Sequence, residues 1–248
     1  MGLRLENLGH STLSVKLGGL EILTDPFLTD SAGGIRRVVP PAKRPEEVLP
    51  DLILISHGHY DHLDLKTLRR LRNTPLIITP ENFSPILKGF NHVELKSFET
   101  FHFKGLKITL VPARHNRGRN ILYPNTGVGG FIVQWQDFTL YFAGDTAFSE
   151  HLYISIAEKF PKIDVAILPI GGFLPFFRKF HQTPEEAVKA FKLLKARYLI
   201  PIHFGSWHII PFCLKLEKAE ERLRSYAFIS GIENSIVLLK TGESITLY

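Results

Sequence analysis

The chain has 248 residues, 44% hydrophobic and 22% charged, with 19 glycines and 16 prolines. That excludes a disulfide-stapled miniprotein, a disordered chain, a collagen and a coiled coil, and leaves a globular enzyme or binding domain. Thirty Lys and Arg against 24 Asp and Glu give a net charge of +6, a modest excess that attracts anions without naming one. The single cysteine, Cys213, cannot form an internal disulfide, so a reducing, cytoplasmic setting is expected. Residues 1–6 carry no signal-peptide apolar run, and Glu6 stands where an acylation signal has Ser or Thr, so neither an export leader nor an acyl anchor is expected. The uncharged stretch 198–214 is interrupted by Pro201, Gly205 and Pro211 and reads poorly as a membrane span.

Short apolar runs predict strands over 3–8, 12–17, 20–24, 52–56 and 76–79. Residues 63–73, with apolar positions at 65, 68 and 71, predict an amphipathic helix ended by Pro75. Strands follow at 107–111, 129–135, 139–143, 165–168, 198–201 and 235–240, and helices at 149–160, 184–195 and 214–226. The second of these helices carries a full capping signature, with Thr183 as N-cap, Pro184 at the first helical position and Glu186 three residues after the cap. No repeat, low-complexity tract or long polar linker divides the chain, although two strand-rich halves meet near residue 125. The expectation is one domain over 1–248, of mixed α/β class, with two packed sheets and outer helices.

The densest chemical signal is Ser56-His57-Gly58-His59-Tyr60-Asp61-His62, set between an apolar strand and a helix. Imidazole and carboxylate are the preferred donors for zinc and similar divalent ions, and four of them within six residues have no comparable use in a solvated loop. His115, Asp145 and His203 each stand just past another apolar strand. If those strand ends share one rim, seven donors converge, more than one tetrahedral ion can use, so two metals are expected.

These residues carry a resemblance. The His-x-His-x-Asp-His run at 57–62, followed in order by His115, Asp145 and His203, resembles the metallo-β-lactamase superfamily of hydrolases, over nearly the whole chain. The resemblance implies a four-layer αββα sandwich with two mixed sheets flanked by helices. It places His57, His59 and His115 on one metal, Asp61, His62 and His203 on the other, and Asp145 between them. Zn2+ is the first expectation, with Mn2+ or Fe suited to the mixed nitrogen and oxygen donors. A narrower similarity, to the branch with N-acyl-phosphatidylethanolamine-hydrolysing phospholipase D and L-ascorbate-6-phosphate lactonase, rests on further stretches. They are Gly9-His10-Ser11-Thr12, Thr24-Asp25-Pro26, Pro112-Ala113-Arg114-His115, Phe142-Ala143-Gly144-Asp145-Thr146, Leu168-Pro169-Ile170-Gly171, residues 181–187 and Ile200-Pro201-Ile202-His203-Phe204-Gly205. It implies that His181 lies beside the metals, as proton donor to a leaving group; the alternative is a neighbour of the helix cap.

Two ions about 3.5–4 Å apart can bridge and activate a hydroxide for ester hydrolysis, with Asp61 or Asp145 accepting its proton. His10 reads as a partner of a ligand or as a buried turn histidine, and Asp25 as the orienter of a ligand histidine or the opener of a turn. Arg114, Arg117 and Arg119 flank His115; guanidinium suits phosphate, and Arg117 is the first choice for that contact. The stretch 172–180, with four phenylalanines beside Arg178 and Lys179, reads either as core or as a lip for acyl chains. In the second reading Phe176 and Phe177 meet substrate, and the basic pair meets a membrane surface.

The leading functional expectation is a binuclear phosphodiesterase, phospholipase D-like on N-acyl phosphatidylethanolamine. A lactonase or other carboxylic-ester hydrolase uses the same hydroxide without the phosphate clamp. Nuclease activity has only the basic charge behind it, since no nucleic-acid-binding module stands out, and no nucleic acid is expected as partner. A non-catalytic metal-binding domain would not need seven donors. The expected partner is a small-molecule or lipid phosphodiester, with a peripheral membrane contact and a homo-oligomer left open.

Overall fold

A computed structural model describes residues 2–172, 179–206 and 219–247. The chain opens with an antiparallel meander, β1 (Leu3–Gly9), β2 (Thr12–Leu17) and β3 (Leu20–Thr24). A two-stranded hairpin, β4 (Ser31–Ala32) and β5 (Ile35–Arg36), projects from it. The sheet then grows in parallel through β6 (Leu52–Leu54), β7 (Leu76–Pro80) and β8 (His92–Leu95). The last strand of the chain, β15 (Ser244–Leu247), closes it on β1, giving the order β15-β1-β2-β3-β6-β7-β8.

The second sheet begins with four antiparallel strands, β9 (Thr100–Phe103), β10 (Leu106–Val111), β11 (Gly130–Trp135) and β12 (Phe138–Phe142). Two parallel strands extend it, β13 (Val165–Pro169) and β14 (Tyr198–Ile202), each reached through a helix, α2 (Glu150–Lys159) and α3 (Pro184–Leu194). A short α1 (Leu65–Arg70) accompanies the first sheet, and α4 (Ala219–Ile229) packs on α3.

Strand alternation sorts the side chains into layers. Leu52 and Leu54 enter the central core with Ile108, Phe131, Phe142, Val165 and Ile200 of the other sheet. Ile53 and Ile55 point the other way, onto Leu63, Leu68, Phe83 and Leu87. On the second sheet, Ile132, Tyr141, Ala166 and Leu199 meet Tyr153 and Ile156 of α2 and Val188, Phe191 and Leu194 of α3. Both faces of the inner strands are therefore buried, which explains why β6 and β13 are uninterrupted apolar runs. Each fully buried large side chain, such as Phe131 or Tyr153, contributes about 1.5–3 kcal/mol. The architecture is the αββα sandwich anticipated.

Several element boundaries differ from expectation. Segment 235–240 is not a strand: a 3-10 turn over Glu233–Ser235 is followed by one parallel bridge from Ile236 to Leu199. Val237 N–H donates to Leu199 O in the second sheet, while Leu239 O accepts from Asn7 Nδ2 in the first. The segment crosses between the sheets and can be a strand of neither. The edge strands β8, β9 and β15 are partly exposed and interrupted by polar residues, so they lack the apolar signal of the inner strands. Helix α1 is shorter than 63–73, held at its start by Asp64, which accepts from Lys66 N–H, and released at Leu71 into extended backbone. Helix α4 runs to Ile229, and residues 214–218 of the expected helix lie outside the described residues. Among the described residues, no helix is long and apolar enough to cross a membrane.

The capping box of α3 forms as expected. Thr183 Oγ1 accepts from Glu186 N–H at 3.2 Å, and Thr183 N–H donates to Glu186 Oε2 at 2.8 Å. Thr183→Ala removes the first bond, and the expected loss is about 1 kcal/mol, read as a fall in Tm of about 2–4 °C. An unchanged Tm would show that the cap adds nothing to the docking of α3.

Candidate metal centre

Strand polarity alone brings the candidate ligands to one rim. β3 and β6 are parallel, and two antiparallel steps make β1 parallel to β3, so His10, Asp25 and His57 all leave the same edge of the first sheet. The same reasoning places His115 after β10, Asp145 after β12 and His203 after β14 on one edge of the second. The two edges meet, since His203 N–H donates to His10 O at 3.2 Å and Gly129 N–H to Ser56 O at 3.0 Å.

Asp25 organises the histidine loop. Its carboxylate accepts from Ser56 N–H at 2.6 Å, from Ser56 Oγ at 2.5 Å and from His62 Nδ1 at 2.7 Å. Because Ser56 Oγ gives its proton to Asp25, it accepts from His57 Nδ1, 2.9 Å away. Both imidazoles are thereby set with Nδ1 protonated and the Nε2 lone pair facing the centre. His115 is set the same way, its Nδ1 donating to Phe180 O at 2.9 Å. His59 presents Nδ1, 3.2 Å from His115 Nε2, while its Nε2 accepts from Asn116 Nδ2 at 3.2 Å. His10 Nε2 stands 3.1 Å from Asp61 Oδ2.

Asp145 joins the two halves. Its buried Oδ2 lies 3.9 Å from His57 Nε2, 3.2 Å from His62 Nε2, 3.1 Å from His203 Nε2 and 3.3 Å from His181 Nδ1. Burial opposes ionisation, but His203, His62 and His181 more than offset it and hold the Asp145 carboxyl well below its usual range. Burial is likewise outweighed at Asp61, where His62 and His10 lower the carboxyl. At His62 burial is outweighed by Asp145, Asp25 and Asp61, which raise the imidazole well above its usual value. Burial, with neighbouring imidazoles, lowers His57 strongly, His59 to about 4 and His10 to about 4. Asp61 and Asp145, held ionised beside His57, His59 and His10, which are held neutral, make a cage for positive charge that His62 already answers in part.

The donor chemistry fits divalent cations. His57 Nε2 and Asp145 Oδ1 are buried without a hydrogen-bond partner, an arrangement that costs about 1–3 kcal/mol per group unless something else satisfies it. Ligating atoms of His57, His59 and His115 lie within 4.8 Å of one another, as do those of His10, Asp61, His62 and His203 and those of His115, Asp145 and His181. The seven sequence candidates are all within this one array. His10 and Asp25 belong to it too, His10 beside Asp61 and Asp25 bonded to Ser56 and His62.

His181 sits at the centre, not on the helix cap, which is Thr183. Its ring stacks on His203 with centroids 4.8 Å apart, and burial, with His203 and His115, lowers it to about 3 despite Asp145. The three arginines divide. Arg119 is half-buried, donating from Nη1 to Gly58 O and Leu63 O, both at 2.8 Å, with its guanidinium 4.1 Å from the Tyr60 ring centroid. It braces the histidine loop. Arg114 Nη1 reaches Phe148 O at 3.3 Å, while Arg117 is exposed beside His115. Phe176 and Phe177 lie outside the described residues; Lys179 and Phe180 at the end of that stretch are exposed.

Two glycines that stand in the sequence only as parts of longer stretches have a steric role at the centre. A Cβ on Gly144, at φ +59°, would stand 2.2 Å from Ser56 Cβ, and one on Gly171 would stand 2.4 Å from His203 O. Close approach of these loops leaves no room for a side chain, and only the adjacent Asp145 and the strand end before Gly171 hint at it. Asp25→Asn is expected to weaken metal binding tenfold to a hundredfold, and Gly144→Ala to weaken it too, both read by elemental analysis after dialysis against a buffered chelator. Retention of wild-type metal in Asp25→Asn would remove Asp25 from this role.

A Beta-lactamase superfamily domain profile matches residues 21–204. Over 225 residues the chain is 36% identical to N-acyl-phosphatidylethanolamine-hydrolyzing phospholipase D 1 of Caenorhabditis elegans, covering 81% of this chain and 63% of that protein. It thus spans under two thirds of that relative's length. It is 32% identical over 249 residues to a UPF0173 metal-dependent hydrolase of Methanopyrus kandleri, covering 98% of this chain and 99% of that one. In fold it is similar to Igni18, a metallo hydrolase from Ignicoccus hospitalis, with a TM-score of 0.78 at 24% identity over 100% of this chain and 99% of that one. The chain belongs to the β-lactamase superfamily domain family.

Proposed function

We propose that this metal-dependent hydrolase of the metallo-β-lactamase superfamily holds two divalent ions, zinc foremost, and hydrolyses a lipid phosphodiester in the manner of a phospholipase D. The observation that carries the reading is the single carboxylate of Asp145 within 3.1–3.9 Å of imidazoles from both donor groups. His57, His59 and His115 would hold one ion, Asp61, His62 and His203 the other, with Asp145 shared. Bound there, the ions supply activation of water near neutral pH and neutralise charge on a phosphoryl oxygen. Asp61 and Asp145, both held ionised, orient the nucleophilic water and accept its proton. The bond that breaks joins phosphorus to the leaving alcohol's oxygen. His181, whose Nδ1 lies 3.3 Å from Asp145 Oδ2, gives the leaving oxygen the proton with which it departs as the alcohol, and regains one from Asp145, which has taken it from the water. Arg117, exposed two residues after His115, suits a non-bridging phosphate oxygen. Similarity to the Caenorhabditis elegans phospholipase supports the substrate class.

Purified protein is expected to carry two metal equivalents, and His59→Ala and Asp145→Ala each to lower that content. Full activity after exhaustive chelation would sink the metal reading. On metal-loaded enzyme, bis(p-nitrophenyl) phosphate and an N-acyl phosphatidylethanolamine should be cleaved faster than a β-lactam, a thioester or a simple lactone. Preference for the lactone would transfer the assignment to a carboxylic-ester hydrolase.

A further inference from the structure

The loop that carries His115 ends in a tip with two adjacent aliphatic side chains almost wholly in water, Ile121 at 96% and Leu122 at 80% exposure. The tip is a fastened turn. Asn120 Oδ1 accepts from Leu122 N–H at 3.0 Å and Tyr123 N–H at 3.1 Å, and Arg119 N–H donates to Tyr123 O at 2.8 Å. Asn120 Nδ2 also donates to Tyr60 OH at 2.9 Å, tying the tip to the histidine loop. On its other side Tyr60 faces the β4–β5 hairpin, where a Cβ on Gly33 would lie 3.6 Å from its ring and Ile35 is exposed. Ile35, Tyr60, Ile121 and Leu122 thus sit on neighbouring segments beside the metal centre. A turn held this firmly displays its aliphatic pair constantly, at a hydration cost that a folded monomer ordinarily avoids.

Charge selects the occupant. Residues 31–39 and 114–128 contain five arginines and no Asp or Glu, and Arg36, Arg114 and Arg117 are exposed. A second copy docking face to face would set these arginines against themselves, since a two-fold interface pairs a patch with its own image. An anionic lipid surface offers headgroup charge for the arginines and an apolar layer for the tip. We propose that Ile121 and Leu122 insert at the headgroup and acyl boundary of an anionic membrane, with Arg36 and Arg114 on its phosphates. This holds the metal centre at the surface where its substrate lies. The inference rests on the lipid-phosphodiester reading and adds the surface through which that substrate is reached.

The test is co-sedimentation of metal-loaded full-length protein with vesicles of phosphatidylcholine alone or with about 30% phosphatidylglycerol. Wild type should partition onto the anionic vesicles, and added salt should weaken it. Ile121→Ser with Leu122→Ser should lower partitioning by about a hundredfold, the scale set by two buried aliphatic side chains, with Tm and turnover of bis(p-nitrophenyl) phosphate unchanged. Leu122→Trp should show a blue-shifted emission on anionic vesicles only. Equal partitioning of the double variant, or no binding by wild type, would overturn the proposal. So would a wild-type dimer in sedimentation velocity that the double variant abolishes, which would assign the tip to a protein contact. Vesicle binding without any phosphodiester turnover would leave the docking surface standing and remove the substrate class instead.

Discussion

Burying three carboxylates among imidazoles at one point is the constraint on which the rest of the structure depends. Asp25 and Asp145 are shielded from water, and isolated charges there would be strongly unfavourable. At Asp145 the surrounding histidines more than offset that cost, whereas at Asp25 burial prevails and raises the carboxyl, whose oxygens are satisfied by hydrogen bonds with Ser56 and His62. That crowding requires six strand ends at one rim, and the sandwich supplies them by making β1, β3 and β6 run together in one sheet and β10, β12 and β14 in the other. The thick apolar core between the sheets, from Leu5 to Ile202, fixes the spacing of the two edges.

The donor array was legible in sequence because His57, Asp145 and His203 each stand just past an apolar run, and such runs are the buried strands. His57 after 52–56, Asp145 after 139–143 and His203 after 198–201 needed no contact information to be placed at strand ends. What needed it was everything set by distant partners. Arg114, Arg117 and Arg119 all flank His115 in sequence, with Arg117 the first choice for phosphate, but only contacts reveal that Arg119 is committed to the backbone of Gly58 and Leu63, more than fifty positions away. Ser56 looks like a strand terminus until Asp25 and His57 are seen on either side of its hydroxyl. The crossing segment 235–240 has strand-like composition, but its two bonding partners belong to different sheets, a fact of topology with no local trace.

Edge strands failed for a related reason. Among the described residues β8 pairs only with β7, and β9 only with β10, so they are partly exposed and polar residues are admitted. Periodicity detects burial more than it detects pairing. The inner strands satisfy both conditions, as does β14, an edge strand that is buried; β8, β9 and β15 satisfy only the second.

Backbone strain marks the same rim. His10, Asp25 and His203 each have positive φ, at 59°, 33° and 58°, a conformation that costs a non-glycine residue on the order of 1–3 kcal/mol and survives only where surroundings over-determine it. The surroundings here are mutual. His203 N–H is bonded to His10 O, and Asp25 N–H to Leu54 O at the end of β6, so each strained residue is anchored to the strand end that carries another part of the array. Relaxing any one would withdraw a hydrogen bond from its neighbour and turn an imidazole or carboxylate out of the centre. The rigidity of the donors therefore comes from the sheets through the backbone as much as from Asp25 through side chains. A centre built this way holds its donors in position before a cation arrives, and keeps the cost of ordering them within folding instead of within binding.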